Sequence, residues 1–499
     1  MKLTRLIQPV RAIRTLSNGY EGPTDTDVLK PFHDIPSASE SCDPIISSHD
    51  PSHLHTQCDE SHRRLGPIFR KHLGQHELLF IADTNMIQSV IRNEGPYPHH
   101  SVPPCWTYYN KVKNLERGVF FQTGEPWARL RKPLAEILLR EPKSITKFAN
   151  DIIEVNNDMM QEWLDRHKGQ SEFNLDDVKR ELCRWSIEAT GSMLFGARMG
   201  CIMAGDTQTD CEKAEQLVDN VTEMFAMTSH FQVVPVDQAH KLNSDEWQRF
   251  EKSTTNMLRI SDEYARDYIK RAKLSTNRGL IKHIMDFGTI SEDDIRQSVI
   301  DLIIASADTT STSLQWMLLL LSCHKDSQMR IREESKVLLS SKSDLYNYRQ
   351  IAPYTSAFMK ETLRLYPTAP FLARTLDHEL ILSNYRIPAG TPIVFSLFTT
   401  SRMSKYFEQP LEFLPERWFR HNIDVAECPI RRTNSSASLP FGIGRRMCLG
   451  KRMAELQMFL LLASFASKFD CTPINEQVGI KLTMTLGPDR PIQIKLRSI

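Results

Sequence analysis

A chain of 499 residues, 40% of them apolar and 8% aromatic, has ample material for a packed core. Lys+Arg 62 against Asp+Glu 61 leaves a net charge of +1, without the basic excess that a nucleic-acid binder carries. The ten cysteines include no Cys-x-x-Cys pair, which argues against a disulfide scaffold or a structural zinc site.

The first twenty residues carry Lys2, Arg5, Arg11 and Arg14, and no acid precedes Glu21. Leu3, Leu6, Ile7, Val10, Ile13 and Leu16 lie between these charges. An acid-free amphipathic start predicts a mitochondrial presequence over residues 1–22, and the apolar core of a secretory signal is missing. Residues 23–60 hold Pro23, Pro31, Pro36, Pro44 and Pro51 among Ser, Asp and His, and read as extended chain. Short strands are expected around 68–70 and 78–81, then mainly helices between 125 and 340. The rest mixes helices with strands at 380–382, 392–395 and 492–496. Nothing between 61 and 499 reads as a linker, so one large, mainly α domain with a small β portion is predicted. No run of eighteen apolar residues predicts a transmembrane helix.

The densest chemical signal is Phe441-x-x-Gly444-x-Arg446-x-Cys448-x-Gly450, with a further glycine at 442 and a helix following. Leu449, Met453, Leu456, Leu460 and Ala463 predict one apolar stripe on that helix. A cysteine at a helix mouth feels the positive end of the dipole, which favours thiolate. The glycines permit turns that aim backbone N–H groups at the sulfur. Phe441 is placed to shield it, and Arg446 puts a cation nearby. Read alone, the segment is equally a glycine-rich turn around a buried cysteine.

This spacing, with Ala454 and Glu455 beyond it, resembles the haem-binding loop of the cytochromes P-450. Three further segments match in the family's order. Glu361-x-x-Arg364, followed by Leu365-Tyr366-Pro367, resembles its Glu-x-x-Arg helix, and Pro415-Glu416-Arg417 its meander. The resemblance implies that Glu361, Arg364 and Arg417 form a structural charge network. Ala305-Ser306-Ala307-Asp308-Thr309-Thr310 sits in an apolar helix predicted over 297–322, about 39 Å long. An acid and hydroxyls there are costly unless partnered, and they predict a kink. The family places such a segment over the haem, where Asp308 and Thr309 would handle protons; Ser306 departs from its common glycine. Two weaker matches, Trp127-x-x-x-Arg131 and Arg374, imply with Arg446 a set of donors to the haem propionates, for which the arginine fork is suited.

The resemblance implies a single cytochrome P-450-type fold and a monooxygenase that hydroxylates a lipophilic, sterol- or steroid-like molecule. Its cofactor would be haem b with Cys448 as axial ligand, and its co-substrate O2. Substrate contacts are expected near 103–109, 220–240, 368–371 and 483–486. Lys451 and Arg452, paired after Gly450, resemble the mitochondrial class. That class implies a peripheral protein on the matrix side of the inner membrane, driven by an adrenodoxin-like ferredoxin and its reductase. Lys360, Arg445, Lys451 and Arg452 are then the expected docking cations, with Ser356 standing where relatives carry a further lysine. Competing readings are a haem-thiolate isomerase or dehydratase, which can dispense with the acid–threonine pair, and a catalytically silent haem-binding protein.

Overall fold

The computed structural model describes residues 29–38, 51–73, 76–168, 170–202, 208–232, 234–273, 279–340, 345–419, 433–475 and 477–499. The segment 1–22 read as a presequence and Cys428 lie outside them. The chain forms two compact units, each assembled from segments distant in sequence.

The first unit comprises the chain up to Ser101, Glu361–Cys448 and Ile480–Leu482. Its sheet runs in the order Ile68–Leu73, His76–Ile81, Pro392–Ser396, Phe371–Thr375. The first two strands pair antiparallel, the second and third parallel, and the last pair antiparallel. Alternate side chains enter different cores, as strand geometry requires. Phe69, Phe80 and Val394 pack on one face, with the two phenylalanine rings stacked 5.1 Å apart. Ile68, Leu79, Ile81, Ile393 and Phe395 pack on the other. The first strand outlasts the expected 68–70 because Arg70, polar as it looks in sequence, pairs with Glu77 at 2.7 Å. Residues 51–60, expected to be extended, instead enter the turn Pro51–His53 and the helix Leu54–Leu65. That helix buries polar groups rather than an apolar stripe. His62 alone contacts the Ser396 hydroxyl at 2.8 Å and the Gly66 carbonyl at 3.0 Å.

The second unit contains the helix Glu292–Cys323, 32 residues long and begun by Ser291, whose hydroxyl accepts from the Asp294 N–H. Glu292, Asp293 and Asp294 face the positive end of its dipole. The helix runs unbroken through 305–310, so the expected kink is not a break in its hydrogen bonding. The helix Lys451–Lys468 also departs from expectation. Its residues Leu456–Ala466 are all buried, rather than one stripe of them. It packs against Lys325–Ser340, Ala149–Arg166 and Glu292–Cys323, which leaves no open face over this run. Strands Glu172–Leu175, Ile494–Ser498 and Phe469–Pro473 form a second antiparallel sheet; Ile494–Ser498 lies two residues beyond the expected 492–496.

What organises the first unit is a carboxylate. Glu361, on the helix Pro353–Leu365, accepts from Arg364 Nε (2.9 Å) and Nη2 (2.8 Å) and from Arg417 Nε (2.8 Å). The Leu414 N–H (3.0 Å) and the Trp418 indole N–H (2.9 Å) complete its shell. Both ion pairs are wholly buried. Burial alone would raise the Glu361 carboxyl, but Arg364 and Arg417 hold it below its ordinary 4.5. Its contribution to stability is therefore present above pH 4.5 and is lost as pH falls through the lower folded value. Glu361→Gln leaves two buried cations without a counter-charge. The expected loss is about 3–5 kcal/mol of stability or no folded protein, read by denaturant unfolding at pH 7. An unchanged midpoint would refute this role.

Candidate active site

Cys448 closes a turn in which its N–H donates to the Phe441 carbonyl at 2.8 Å. Gly442 (φ 72°) and Gly444 (φ 79°) supply the left-handed conformations the turn needs. Among the described cysteines Cys448 is the exposed one. Burial pushes the thiols of Cys58, Cys105, Cys183 and Cys471 up to about 12, so these behave as inert apolar groups. The helix Lys451–Lys468 begins three residues after Cys448, with no side-chain hydrogen bond at its Gly450 cap and no acid in its first turn. No acidic side chain of its own first turn therefore offsets the positive end of its dipole.

The loop is anchored by a residue that sequence reading missed. Glu94 is buried and accepts from the Arg445 backbone N–H at 2.8 Å and from Arg374 Nε at 2.8 Å. A Cβ added at Gly444 would strike the Glu94 carboxylate, so only glycine admits this approach. Arg374 also donates to the carbonyls of Ala373 (2.9 Å) and Ile443 (3.1 Å). These three contacts occupy three of the five N–H groups of its fork. Arg446 Nε donates to the Pro98 carbonyl at 2.9 Å. The first unit therefore holds Phe441, Arg446 and Cys448 in one loop, with Arg374 tied to it, and Glu361, Arg364 and Arg417 in their own network. Trp127 and Arg131 lie one turn apart on the helix Gly124–Ala135 of the second unit, Trp127 being buried.

The segment 305–310 lies on the long helix of the second unit. Thr309 is exposed and its hydroxyl donates to the Ala305 carbonyl at 2.7 Å. Ser306 likewise donates to the Ile303 carbonyl at 2.8 Å, while its own carbonyl accepts from the Ser186 hydroxyl at 2.8 Å. Asp308 is buried, and its Oδ2 accepts from the Thr485 hydroxyl at 2.8 Å. Lys179 Nζ stands 3.9 Å from its other oxygen. Both partners were missed as such, although 483–486 was singled out as a substrate-contact segment.

A cavity in the same unit is lined by Trp106, Tyr109 and Met224, from two of the four segments expected to touch substrate, and by Phe121, Met257 and Ile304. Of the expected docking cations, Lys360 and Arg445 are exposed and Lys451 and Arg452 half-buried. Ser356 is buried, so the position thought to lack a docking charge is not on the surface. Among the described residues no group of three or more His, Cys, Asp or Glu side chains is built to hold a metal ion alone. The exposed sulfur of the glycine turn fits the alternative, an iron held in a porphyrin and bound by one thiolate.

Comparison with known proteins agrees with this geometry. Residues 45–496 match the family described as Cytochrome P450. The chain is 31% identical to Cytochrome P450 315a1, mitochondrial, of Drosophila melanogaster, over 91% of its own length and 85% of that protein. It is 28% identical to the Cholesterol side-chain cleavage enzyme, mitochondrial, of Oncorhynchus mykiss, covering 89% and 85%. The same identity relates it to the 1,25-dihydroxyvitamin D(3) 24-hydroxylase, mitochondrial, of Rattus norvegicus, covering 89% and 84%. Among the described residues no helix is long and apolar enough to cross a membrane. With the cysteine-bearing glycine turn, the buried Glu361 network and a family match over residues 45–496, the chain belongs to the cytochrome P450 family and is a haem-iron monooxygenase that uses O2.

Proposed function

We propose that this chain is a mitochondrial hydroxylase of a lipophilic, sterol- or steroid-like molecule, loaded with haem b through Cys448 and supplied with electrons by a ferredoxin. The observation that carries the ligand assignment is the exposed Cys448 in its glycine turn, set against buried thiols elsewhere. The substrate class rests on the names of the relatives, two of which concern cholesterol and a dihydroxyvitamin D. The location rests on the word mitochondrial in those names and on the acid-free basic start of the sequence. Peripheral attachment on the matrix side of the inner membrane belongs to the same reading.

Haem bound by a thiolate supplies reductive activation of O2 and the hydroxylation of C–H bonds. The protein's part is to hold the thiolate, aim the substrate and manage protons. Glu94 and the Phe441 carbonyl fix the loop that presents the sulfur. Trp127, Arg131, Arg374 and Arg446 are the proposed donors to the haem carboxylates. Asp308, oriented by Thr485, and the exposed Thr309 hydroxyl move protons at the reacting face. The retained acid–threonine pair favours hydroxylation over a rearrangement that needs no external protons.

The donor on this reading is a small acidic iron–sulfur ferredoxin with its reductase. Lys360, Arg445, Lys451 and Arg452 are its proposed docking residues. Exposed ion pairs contribute only about 0.2–1 kcal/mol each and weaken with salt, which suits a transient complex.

Three outcomes check the parts separately. Cys448→Ala abolishes the strongly red-shifted Soret band of the reduced CO complex, whereas Cys471→Ala keeps it; retention of that band in Cys448→Ala refutes the ligand assignment. Thr309→Ala keeps a normal CO spectrum and consumes reductant, but yields several-fold less product per electron and more peroxide. An unchanged yield makes Thr309 a helix residue only. Lys360→Glu with Arg452→Glu slows ferredoxin-driven turnover about tenfold at low salt, and leaves peroxide-driven turnover and the CO spectrum unchanged. Equal loss in both assays removes the docking assignment.

A further inference from the structure

Three polar side chains on the helix Glu292–Cys323 reach the same short stretch near the C-terminus. Asp308, Thr312 and Trp316 are spaced by four, so they share one face of that helix. The Thr485 hydroxyl donates to Asp308 Oδ2 at 2.8 Å, and the Thr312 and Thr485 hydroxyl oxygens are 3.3 Å apart. The Trp316 indole N–H donates to the Leu486 carbonyl at 2.9 Å. From the other side, the Thr485 carbonyl accepts the Thr483 N–H at 3.0 Å and the Thr483 hydroxyl at 3.2 Å. Asp308, Thr312, Trp316, Thr485 and Leu486 are all buried.

A threonine hydroxyl has one hydrogen and two lone pairs. The Thr485 hydrogen lies on Asp308, so in the contact between the two threonines it is Thr312 that donates. The result is a one-way chain, from Thr312 to Thr485 to Asp308 Oδ2. Thr312 thereby turns its hydrogen away from its own helix, in contrast with Ser306, Thr309, Ser311 and Ser313. The sequence marks 483–486 as substrate-contacting, yet the Thr485 hydroxyl has no hydrogen left to offer a substrate. Asp308 Oδ1 has different surroundings. The exposed Lys179 has its Nζ 3.9 Å away, beyond hydrogen-bond distance. The Cys183 thiol faces Asp308 from the same helix, Val178–Phe195, and burial pushes it up to about 12, so it stays neutral.

Resting on the hydroxylase reading above, we infer that Thr485 and Thr312 are positioning residues of the proton chemistry: they anchor one oxygen of Asp308 and leave the other, Oδ1, to exchange protons. A proton taken up from water at Oδ1 neutralises the carboxylate and leaves from the same oxygen, which restores the charge. Oδ2 remains the acceptor of the Thr485 hydroxyl throughout.

The test uses the full-length haem-loaded protein with hydrogen peroxide and the dye ABTS, so neither the substrate nor the ferredoxin has to be identified. To release water, hydrogen peroxide must move a proton from one of its oxygens to the other, and that transfer uses the same acid. The infrared band of the Asp308 carboxylate is assigned first, from the difference between wild type and Asp308→Asn. Thr485→Val, which removes the hydroxyl at nearly constant volume, shifts that band and slows dye oxidation about tenfold. Thr312→Val shifts it in the same direction by less and slows the oxidation about two- to threefold, because it removes only the polarisation passed along the chain. Thr485→Ser returns the band and the rate to those of wild type. A side chain that only packed, or only touched substrate, would not move the carboxylate band. The inference is overturned if the band stays in place in Thr485→Val, if Thr485→Ser does not restore it, or if the band shifts while the rate stays within twofold of wild type. Loss of the CO spectrum together with the rate in Thr485→Val overturns it as well, since the residue then serves the haem pocket as a whole. A wild-type CO complex without the red-shifted band refutes the hydroxylase reading instead. The infrared result on Asp308 stands apart from that spectrum, so the two failures are distinguishable.

Discussion

One fully buried carboxylate facing two fully buried guanidinium groups is the constraint from which the first unit is built. Glu361 balances one of the two charges on Arg364 and Arg417, so a net positive charge remains. It is spread over backbone oxygens: Arg364 donates to the carbonyls of Ser401, Pro410 and Glu412, and Arg417 to those of Glu408 and Gln409. These carbonyls belong to chain with almost no regular structure, where each would otherwise need water or a neighbouring strand. A lysine has neither the planar fork nor the number of donors to serve them together. The irregular stretch is therefore ordered from its centre outward by side chains, not by ladders of main-chain bonds.

The same construction recurs twice on a smaller scale. Glu94 with Arg374, and Asp301 with Arg117, are each a buried carboxylate paired with an arginine. Each carboxylate also accepts a backbone N–H, from Arg445 and from Phe120 respectively. Beside each stands a glycine, Gly444 or Gly118, at which an added Cβ would collide with that carboxylate. A buried ion pair contributes little net stability by itself, because desolvation offsets the attraction. Its value here is positional: the N–H bond fixes a loop against a point that cannot drift, and glycine allows the approach. In one case the fixed loop carries Cys448, and in the other it borders the cavity.

Legibility in the sequence followed how local each feature is. The glycine turn around Cys448 and the Glu361–Arg364 spacing are short-range patterns visible in the sequence, and the resemblance to a family implied the charge network that the structure shows around Glu361. The strands at 78–81 and 392–395 were legible because alternate residues enter two apolar cores. The helix Leu54–Leu65 was not, because it buries His55, Asp59 and His62 and so offers no apolar period. The stripe expected after Gly450 was too narrow because the sequence does not reveal how many helices surround Lys451–Lys468. Glu94 and Thr485 escaped for a different reason. Their partners lie 280 and 177 residues away, at Arg374 and Asp308, and a single sequence carries no sign of such pairings.

The long helix shows why its acid, rather than its hydroxyls, is the informative polar residue. Ser306, Thr309, Ser311, Ser313 and Ser322 each donate to a carbonyl three or four residues earlier. A hydroxyl in a helix can always do this, so its presence demands nothing from the rest of the fold. A carboxylate only accepts, and the helix has no spare N–H groups away from its first turn. Asp308 therefore requires a donor from elsewhere, and the chain supplies Thr485 from near its C-terminus. That donor fixes the carboxylate, whereas the Thr309 hydroxyl, one residue on and exposed, bonds back to the Ala305 carbonyl of its own helix. A hydroxyl so placed can turn from the backbone to another acceptor without moving the helix. A fixed acid beside a rotatable hydroxyl follows from hydrogen-bonding valence alone, and the proton path proposed above draws on that pairing.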